Sequence, residues 1–468
     1  MRKAIKLYAL LGVFLVICGA AFAVSRYQEK KENIKASGEI VLEIPADSVT
    51  ALSWTNEDGT FSFTKDEAWT YDGDAAFPVS EDKINALLAQ FESFAAAFVI
   101  DDVEDYAQYG LDEPVCTVSF TADGEEYTLK LGDFSKMDEQ RYVSLGDGKA
   151  YLAMHDPLEE FDAVLRDMIL DDTIPDFDAA ERIEFTGAEN YAVIRDEDGK
   201  SLCEEDVYFT AAGDPLDTDN VDTLLNTIRS LSLTDYVSYN VSDEELAAFG
   251  MNDPELTIDM EYTTEDADET GSVHLTVSRN TEEAAAYAEA VENGEEELPD
   301  VTCYVRVDES QIVYEISKSI YDKLTAVSYD TLRHQKLFTA DFSAVTAIDV
   351  TLDGETHAFT YALPEDAEDE NAEKVWLYGG EEMKISGLET ALCAVSASGF
   401  TEDAPDGQEE ISLTVYLDNE DFPTYMLTLY RHDGTNCLAA VDGKTVALVS
   451  RSKTVDLIEA VNALTLGG

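Results

Sequence analysis

The sequence predicts an α+β chain: three tandem repeats of a module with an antiparallel sheet and two helices, preceded by one N-terminal transmembrane helix. Three observations predict it. One order of alternating strands and amphipathic helices recurs three times. Asp-Gly pairs stand where hairpins would turn. An uncharged apolar stretch opens the chain between basic flanks.

Residues 1–36 read as a membrane anchor and linker. Arg2, Lys3 and Lys6 precede residues 7–24, LYALLGVFLVICGAAFAV, 18 residues without a charge. That is close to the ~20 apolar residues that cross a bilayer as a helix. Ala21-Phe22-Ala23 offers a small-x-small cleavage site, so a removed signal peptide is the alternative. Ile17 ahead of Cys18 argues against lipidation. Basic residues flank both ends. The amino terminus is read as inside, because Glu29 and Glu32 dilute the downstream cluster.

The modules are expected at 37–173, 174–338 and 339–468. Each opens with a short strand: Leu52 to Trp54, Ile183 to Phe185, Ile348 to Val350. Asp58-Gly59, Asp198-Gly199 and Asp353-Gly354 follow as hairpin turns, since both turn positions want positive φ. An amphipathic helix comes next, with Ile84, Leu87, Leu88, Phe91 and Phe94 in the first copy. Its counterpart carries Val221, Leu224, Leu225, Ile228 and Leu231, and the third copy Leu388, Ala391, Leu392 and Val395. Ser80 and Asp219 stand where N-caps are wanted.

Tyr109-Gly110-Leu111-Asp112-Glu113-Pro114 then returns as Phe249-Gly250-Met251-Asn252-Asp253-Pro254. Each opens an alternating strand (Cys116, Val118, Phe120; Leu256, Ile258, Met260), the mark of one buried face. The third copy lacks the turn but keeps the strand as Ile411, Leu413 and Val415. Late strand pairs run from Arg141, Cys303 and Cys437, with Asp147-Gly148 and Asp442-Gly443 between paired strands. Closing helices are expected near Pro157, Ser317 and Ser452. Residues 281–300 have no counterpart and read as an acidic exposed helix inserted in the second module; 364–374 reads as an acidic loop.

Charge excludes one class of partner. Thirty basic residues against 99 acidic ones leave −69, and the first 36 residues carry +5 of their own, so the remainder stands at −74. Such a surface repels phosphate backbones and anionic headgroups, which argues against nucleic-acid binding and favours solubility and cation accumulation. Apolar residues at 45% and aromatics at 10% are enough for real cores.

No local motif marks a reaction. His155, His274, His334, His357 and His432 are scattered without H-x-H or H-E-x-x-H spacing, so only the fold could assemble a metal site from them. Beyond Cys18 the five cysteines are widely spaced with no C-x-x-C. Cys116 reads as a small core residue, and Cys303 and Cys437 as local packing at one shared strand position. The acidic turns at Thr55–Gly59 and Arg195–Gly199 read as hairpins before calcium loops, because neither continues into an EF-hand pattern. Trp54 and Trp69 are expected on the first hairpin's hydrophobic face. No catalytic, cofactor-binding or metal-ligating residue is assigned, and no cofactor is called for.

Tyr109-Gly110-Leu111-Asp112-Glu113-Pro114, the strand pair up to Leu131-Gly132-Asp133, and Arg141 to Leu145 leading to Tyr151-Leu152 resemble bacterial proteins of the domain-of-unknown-function family 4340 (DUF4340). The resemblance covers the first two copies well and the third loosely; Ser278 replaces the strand-end glycine in the second. It implies a single-span envelope protein, often encoded beside ABC-type transport components, and brings no catalytic residues with it.

The expected function is therefore a non-enzymatic, membrane-anchored extracytoplasmic interaction or scaffold protein, an accessory component of an ABC-type transport or envelope complex. Its expected place is the cell membrane, crossed once, with the carboxy-terminal part outside. A glycan- or peptide-binding module is the alternative, and an enzyme the third reading.

Overall fold

The computed structural model describes residues 38–264, 269–364 and 373–466. Two compact units divide between Asp172 and Thr173. The first holds one nine-stranded antiparallel sheet; the second holds sheets of eight and nine strands.

The three sheets share one strand order. In the first, the hairpin Val49–Asn56 and Gly59–Lys65 carries the short strand Trp69–Tyr71 at its outer edge. Val49–Asn56 also pairs with Cys116–Ala122, and the sheet continues through Glu125–Ser135, Gln140–Ser144 and Ala150–Ala153. The strand that follows the first helix, Phe94–Ile100, lies at the far side beside Ala150–Ala153. The helix therefore carries the chain from one side of its sheet to the other. The second sheet repeats this from Tyr208–Thr210 to Tyr236–Ser238, and the third from Val375–Tyr378 to Ala397–Phe400.

Even the irregularities recur. The opening strand's pairing slips at Val49/Ala51, Ala180/Arg182 and Val345/Ala347. The far strand's slips at Ala96/Phe98, Tyr236/Ser238 and Ala397/Gly399. A bulge bends and twists a strand at a chosen place, so three matching pairs mark one blueprint. The late strand pairs fold alike as well: Cys303 and Cys437 each face the arginine that ends the preceding strand, Arg279 and Arg431.

Alternation sets the faces. Cys116, Val118, Phe120 and Ala122 are buried while the residues between them are half-exposed. The helix Glu81–Ala89 lays Ile84, Leu87 and Leu88 on that inner face, with Ser80 capping its start by accepting from the Lys83 N–H. Trp54 is buried, stacked 5.4 Å from Phe63, its Nε1 donating to the Ala163 carbonyl at 2.8 Å. In the third sheet Leu388, Leu392, Leu457 and Val461 cover Ile348, Val350, Leu413 and Leu427.

The expected α+β class is corrected by this: the structure is mostly β. Strands that the sequence left unread add to every sheet, among them Glu39–Leu42, Tyr208–Thr210, Tyr236–Ser238, Ala397–Phe400 and Phe94–Ile100, whose Phe94 was expected on the helix that ends at Ala89. They are three to seven residues long, too short for a readable alternation. Two helices per module holds in the third, with Ser386–Cys393 and Arg451–Thr465, and fails in the first two. Near Pro157 there is only a single turn, Leu158–Phe161, whereas the second sheet is accompanied by Thr218–Arg229, Asp243–Ala248, Thr281–Asn293, Lys318–Thr325 and Tyr329–Leu332. The transmembrane helix has no support either. Among the described residues no helix is long and apolar enough to cross a membrane, and residues 7–24 lie outside them.

Smaller corrections have local causes. Asp217, not Asp219, caps Thr218–Arg229: its extended backbone lets the carboxylate accept from the Asp219 N–H. The last helix, by contrast, starts at Arg451, beside Ser452 as expected. Asp198-Gly199 is not the turn of its hairpin, which closes around Asn190; it sits in the loop between Tyr191–Arg195 and Tyr208–Thr210. Asp353-Gly354 and Asp442-Gly443 do turn hairpins with both φ values positive. The inserted helix is present as Thr281–Asn293, and most of the acidic loop at 364–374 lies outside the described residues.

Candidate functional site

The loop that holds Asp198-Gly199 is long because it folds on itself. The Asp196 N–H donates to the Val207 carbonyl at 2.8 Å, closing its neck. Gly199 is pressed so close to the Phe209 ring that a Cβ would stand 2.2 Å from it. Beyond the glycine, Leu202 packs onto the apolar core of the third sheet, and Lys200 pairs with Asp421. The segment between these contacts carries Ser201, Cys203 and Asp206. The Cys203 N–H donates to Ser201 Oγ at 3.2 Å, Ser201 Oγ donates to Asp206 Oδ2 at 2.5 Å, and the Asp206 N–H donates to the Cys203 carbonyl at 3.2 Å.

His334 arrives from the other direction, two residues after the helix Tyr329–Leu332. Its neighbours are strapped to the third sheet. The Arg333 guanidinium lies 3.5 Å over the Phe400 ring and donates to the Val446 carbonyl. The Gln335 carbonyl accepts from Ala397 at 2.7 Å, and the Leu337 N–H donates to Val395 at 3.0 Å. So held, His334 places Nε2 2.9 Å from both Asp206 oxygens and Nδ1 3.3 Å from Asp217 Oδ2. Asp217 is fixed in turn by its capping role and by its own N–H, which donates to the Leu332 carbonyl at 2.9 Å.

One ligand atom each from Cys203, Asp206 and His334 thus lie within 4.8 Å of one another. The Asp206 side chain is 1% exposed and that of His334 19%. Burial pushes the His334 pKa down, but the Asp206 hydrogen bond and the charges of Asp206, Asp217 and Asp219 outweigh it, leaving the value raised. Burial raises the Cys203 pKa, and Asp206, Glu205 and Asp217 add to this, against a lowering contribution from the Glu205 backbone N–H. Cys203 is therefore held as a thiol, not as an activated thiolate. The arrangement sets one imidazole between two carboxylates, which leaves a net negative charge even when the ring is protonated, and it offers sulfur, oxygen and nitrogen to a cation. Cys203 and Asp206 also line an open acidic cleft with Glu204, Asp418 and Asp421.

The other singled-out residues do not converge. His274 bonds to Asp259 at 2.6 Å and Thr276 at 3.1 Å on its own sheet, and His357 Nδ1 lies 2.9 Å from the Tyr378 hydroxyl. Cys116 is buried, its pKa raised to about 12 by burial, and that of Cys303 is raised to about 11 by the same cause. The five described cysteines form no disulfide with one another. Glu57 and Asp58 turn the first hairpin. Of the site, sequence reasoning singled out only His334, as one of five scattered histidines. Cys203 and Asp206 were passed over because their partner stands 128 residues beyond Asp206. The one available signal was the CEED stretch next to a misplaced Asp-Gly turn.

A family model described as a domain of unknown function (DUF4340) matches residues 69–210 and 208–413, together more than half of the chain. Searches of the curated proteins and of the solved structures returned no match.

Proposed function

The chain belongs to the DUF4340 family, and on that premise we propose that it is a non-enzymatic interaction or scaffold protein. It works outside the cytoplasm at the cell membrane, as an accessory to an ABC-type transport or envelope complex. The observation that carries this reading is the threefold blueprint: each sheet buries one face under helices and leaves a polar face open. Ser53, Ser119, Thr121 and Thr128 line that face in the first sheet, Thr257, Asp259 and Glu261 in the second, and Asp349, Ser412 and Thr414 in the third. Repeated polar faces offer several docking surfaces of one chemistry. The charge of −69 keeps them soluble and unattractive to nucleic acid. The geometry around Cys203 and His334 agrees, since both ring nitrogens face carboxylates and burial raises the thiol's pKa.

Purification of the full chain from membranes in mild detergent tests this. Recovery with an ABC-type permease or another envelope protein is expected. Recovery alone, at endogenous expression and after crosslinking, would remove the scaffold reading.

A further inference from the structure

We propose that Cys203, Asp206 and His334 form a binding site for a divalent transition-metal cation of the zinc type. Asp217 serves as the outer carboxylate that orients His334. This goes beyond the scaffold reading and does not depend on it.

Three features of the geometry converge. The donor set is right: thiolate sulfur, imidazole nitrogen and carboxylate oxygen are the ligands zinc takes, and the sulfur disfavours magnesium or calcium. The spacing is right as well. Ligand bonds of roughly 2.0 to 2.3 Å in tetrahedral array put donor atoms about 3 to 4 Å apart. Here Nε2 and the Asp206 oxygens stand at 2.9 Å and all three donors lie within 4.8 Å, so shifts on the order of 1 Å complete the array. The third feature points to a ligand independently of the cluster itself. A metal-bound histidine almost always gives its other ring nitrogen to a carboxylate or carbonyl. His334 is set for this: Nδ1 stands 3.3 Å from Asp217 Oδ2 as an ion pair, while Nε2 points toward Asp206. Asp217 is itself immobilised at the helix cap. Ser201 Oγ holds Asp206 in the same way from the other side.

Three protein donors leave a fourth position, and Cys203 and Asp206 border the open cleft. A water or a partner's side chain would fill it. Cation binding releases the thiol proton to solvent and replaces the proton shared between His334 and Asp206. The site also joins a loop of the second sheet to the strap leading into the third, so an occupied site cross-links them.

The experiment uses the full chain in at least 150 mM salt with excess Mg²⁺, which suppresses diffuse cation binding to the acidic surface. Titration with Co²⁺, as a spectroscopic stand-in for Zn²⁺, is expected to saturate at one equivalent. A thiolate-to-metal charge-transfer band should appear and vanish when Zn²⁺ is added. Cys203→Ser should abolish the band, whereas Cys393→Ser keeps it. His334→Gln should abolish binding, and Asp217→Asn should weaken it 10- to 100-fold, the range for removal of an outer-shell partner. Should the variants misfold, the native chain supplies a second readout: Zn²⁺ should protect Cys203 but not Cys393 from alkylation. A missing thiolate band, or equal alkylation of both cysteines with and without Zn²⁺, overturns the proposal.

Discussion

Arg141 shows how one buried side chain can be read for its cost. It donates to Asp156 at 2.6 and 2.9 Å and to the Gly132 carbonyl at 2.7 Å, with both partners' side chains about a tenth exposed. Removing one half of such a pair strands a buried charge, which costs about 3–5 kcal/mol. Arg141→Ala is therefore expected to destabilise the unit ending at Asp172 by that amount in urea denaturation. Arg141→Met paired with Asp156→Leu should recover most of the loss. An arginine–carboxylate pair recurs with different residues, though more exposed than this one. Arg279 holds Glu255 at 2.8 Å in the second sheet, and Arg431 holds Glu410 at 2.6 Å in the third. In the first sheet Asp133 stands where those arginines stand, so the cation has moved one strand over, to the position of Cys303 and Cys437. No sequence pattern announced this exchange, because the partners meet only across strands.

Among the elements, the turn shared by the first two copies is a helix stop. Gly110 and Gly250 carry φ values of +64° and +73°, ending Tyr106–Tyr109 and Asp243–Ala248 in the left-handed region that glycine favours. Leu111 and Met251 then drop into the core. The helix Asp243–Ala248 begins with a reciprocal cap: the Glu245 N–H donates to Ser242 Oγ at 3.2 Å and the Ser242 N–H to Glu245 Oε2 at 2.8 Å. The Ser242 backbone N–H, with its hydroxyl, holds Glu245 below its ordinary 4.5. A depressed carboxylate stabilises above its unfolded value and loses that contribution as pH falls through the folded one. Ser242→Ala should thus cost about 1 kcal/mol at pH 7, and the gap to the parent should shrink below pH 4.5. Thermal melts between pH 7 and pH 3 measure it; a gap independent of pH would remove Glu245 from the account.

The whole molecule divides unequally. The break between Asp172 and Thr173 separates one sheet from two. Within the second unit Leu202 is part of the third sheet's apolar packing, and residues 333–337 are hydrogen-bonded to it. Fragments cut at 172/173 should each fold cooperatively, seen as single urea transitions by circular dichroism. A cut at 338/339 strips the third sheet of Leu202 and of the Arg333–Phe400 stack, so those halves should be markedly less stable than the intact unit. Equal stability would refute the assignment of those contacts.

Period-two alternation, paired Asp-Gly residues and amphipathic stripes act within a few residues of each other, so the amino-acid order alone determined that one module is written three times. Charge, a sum over the chain, was legible in the same way. The tertiary structure decided what depends on distant partners. It alone set the short edge strands that make the protein mostly β, the true extent of each helix, and the meeting of Cys203 and Asp206 with His334. The reason is physical: edge pairing joins residues as far apart as Tyr236 and Tyr314, and Asp206 meets His334 across 128, so packing selects both encounters and no local preference encodes them.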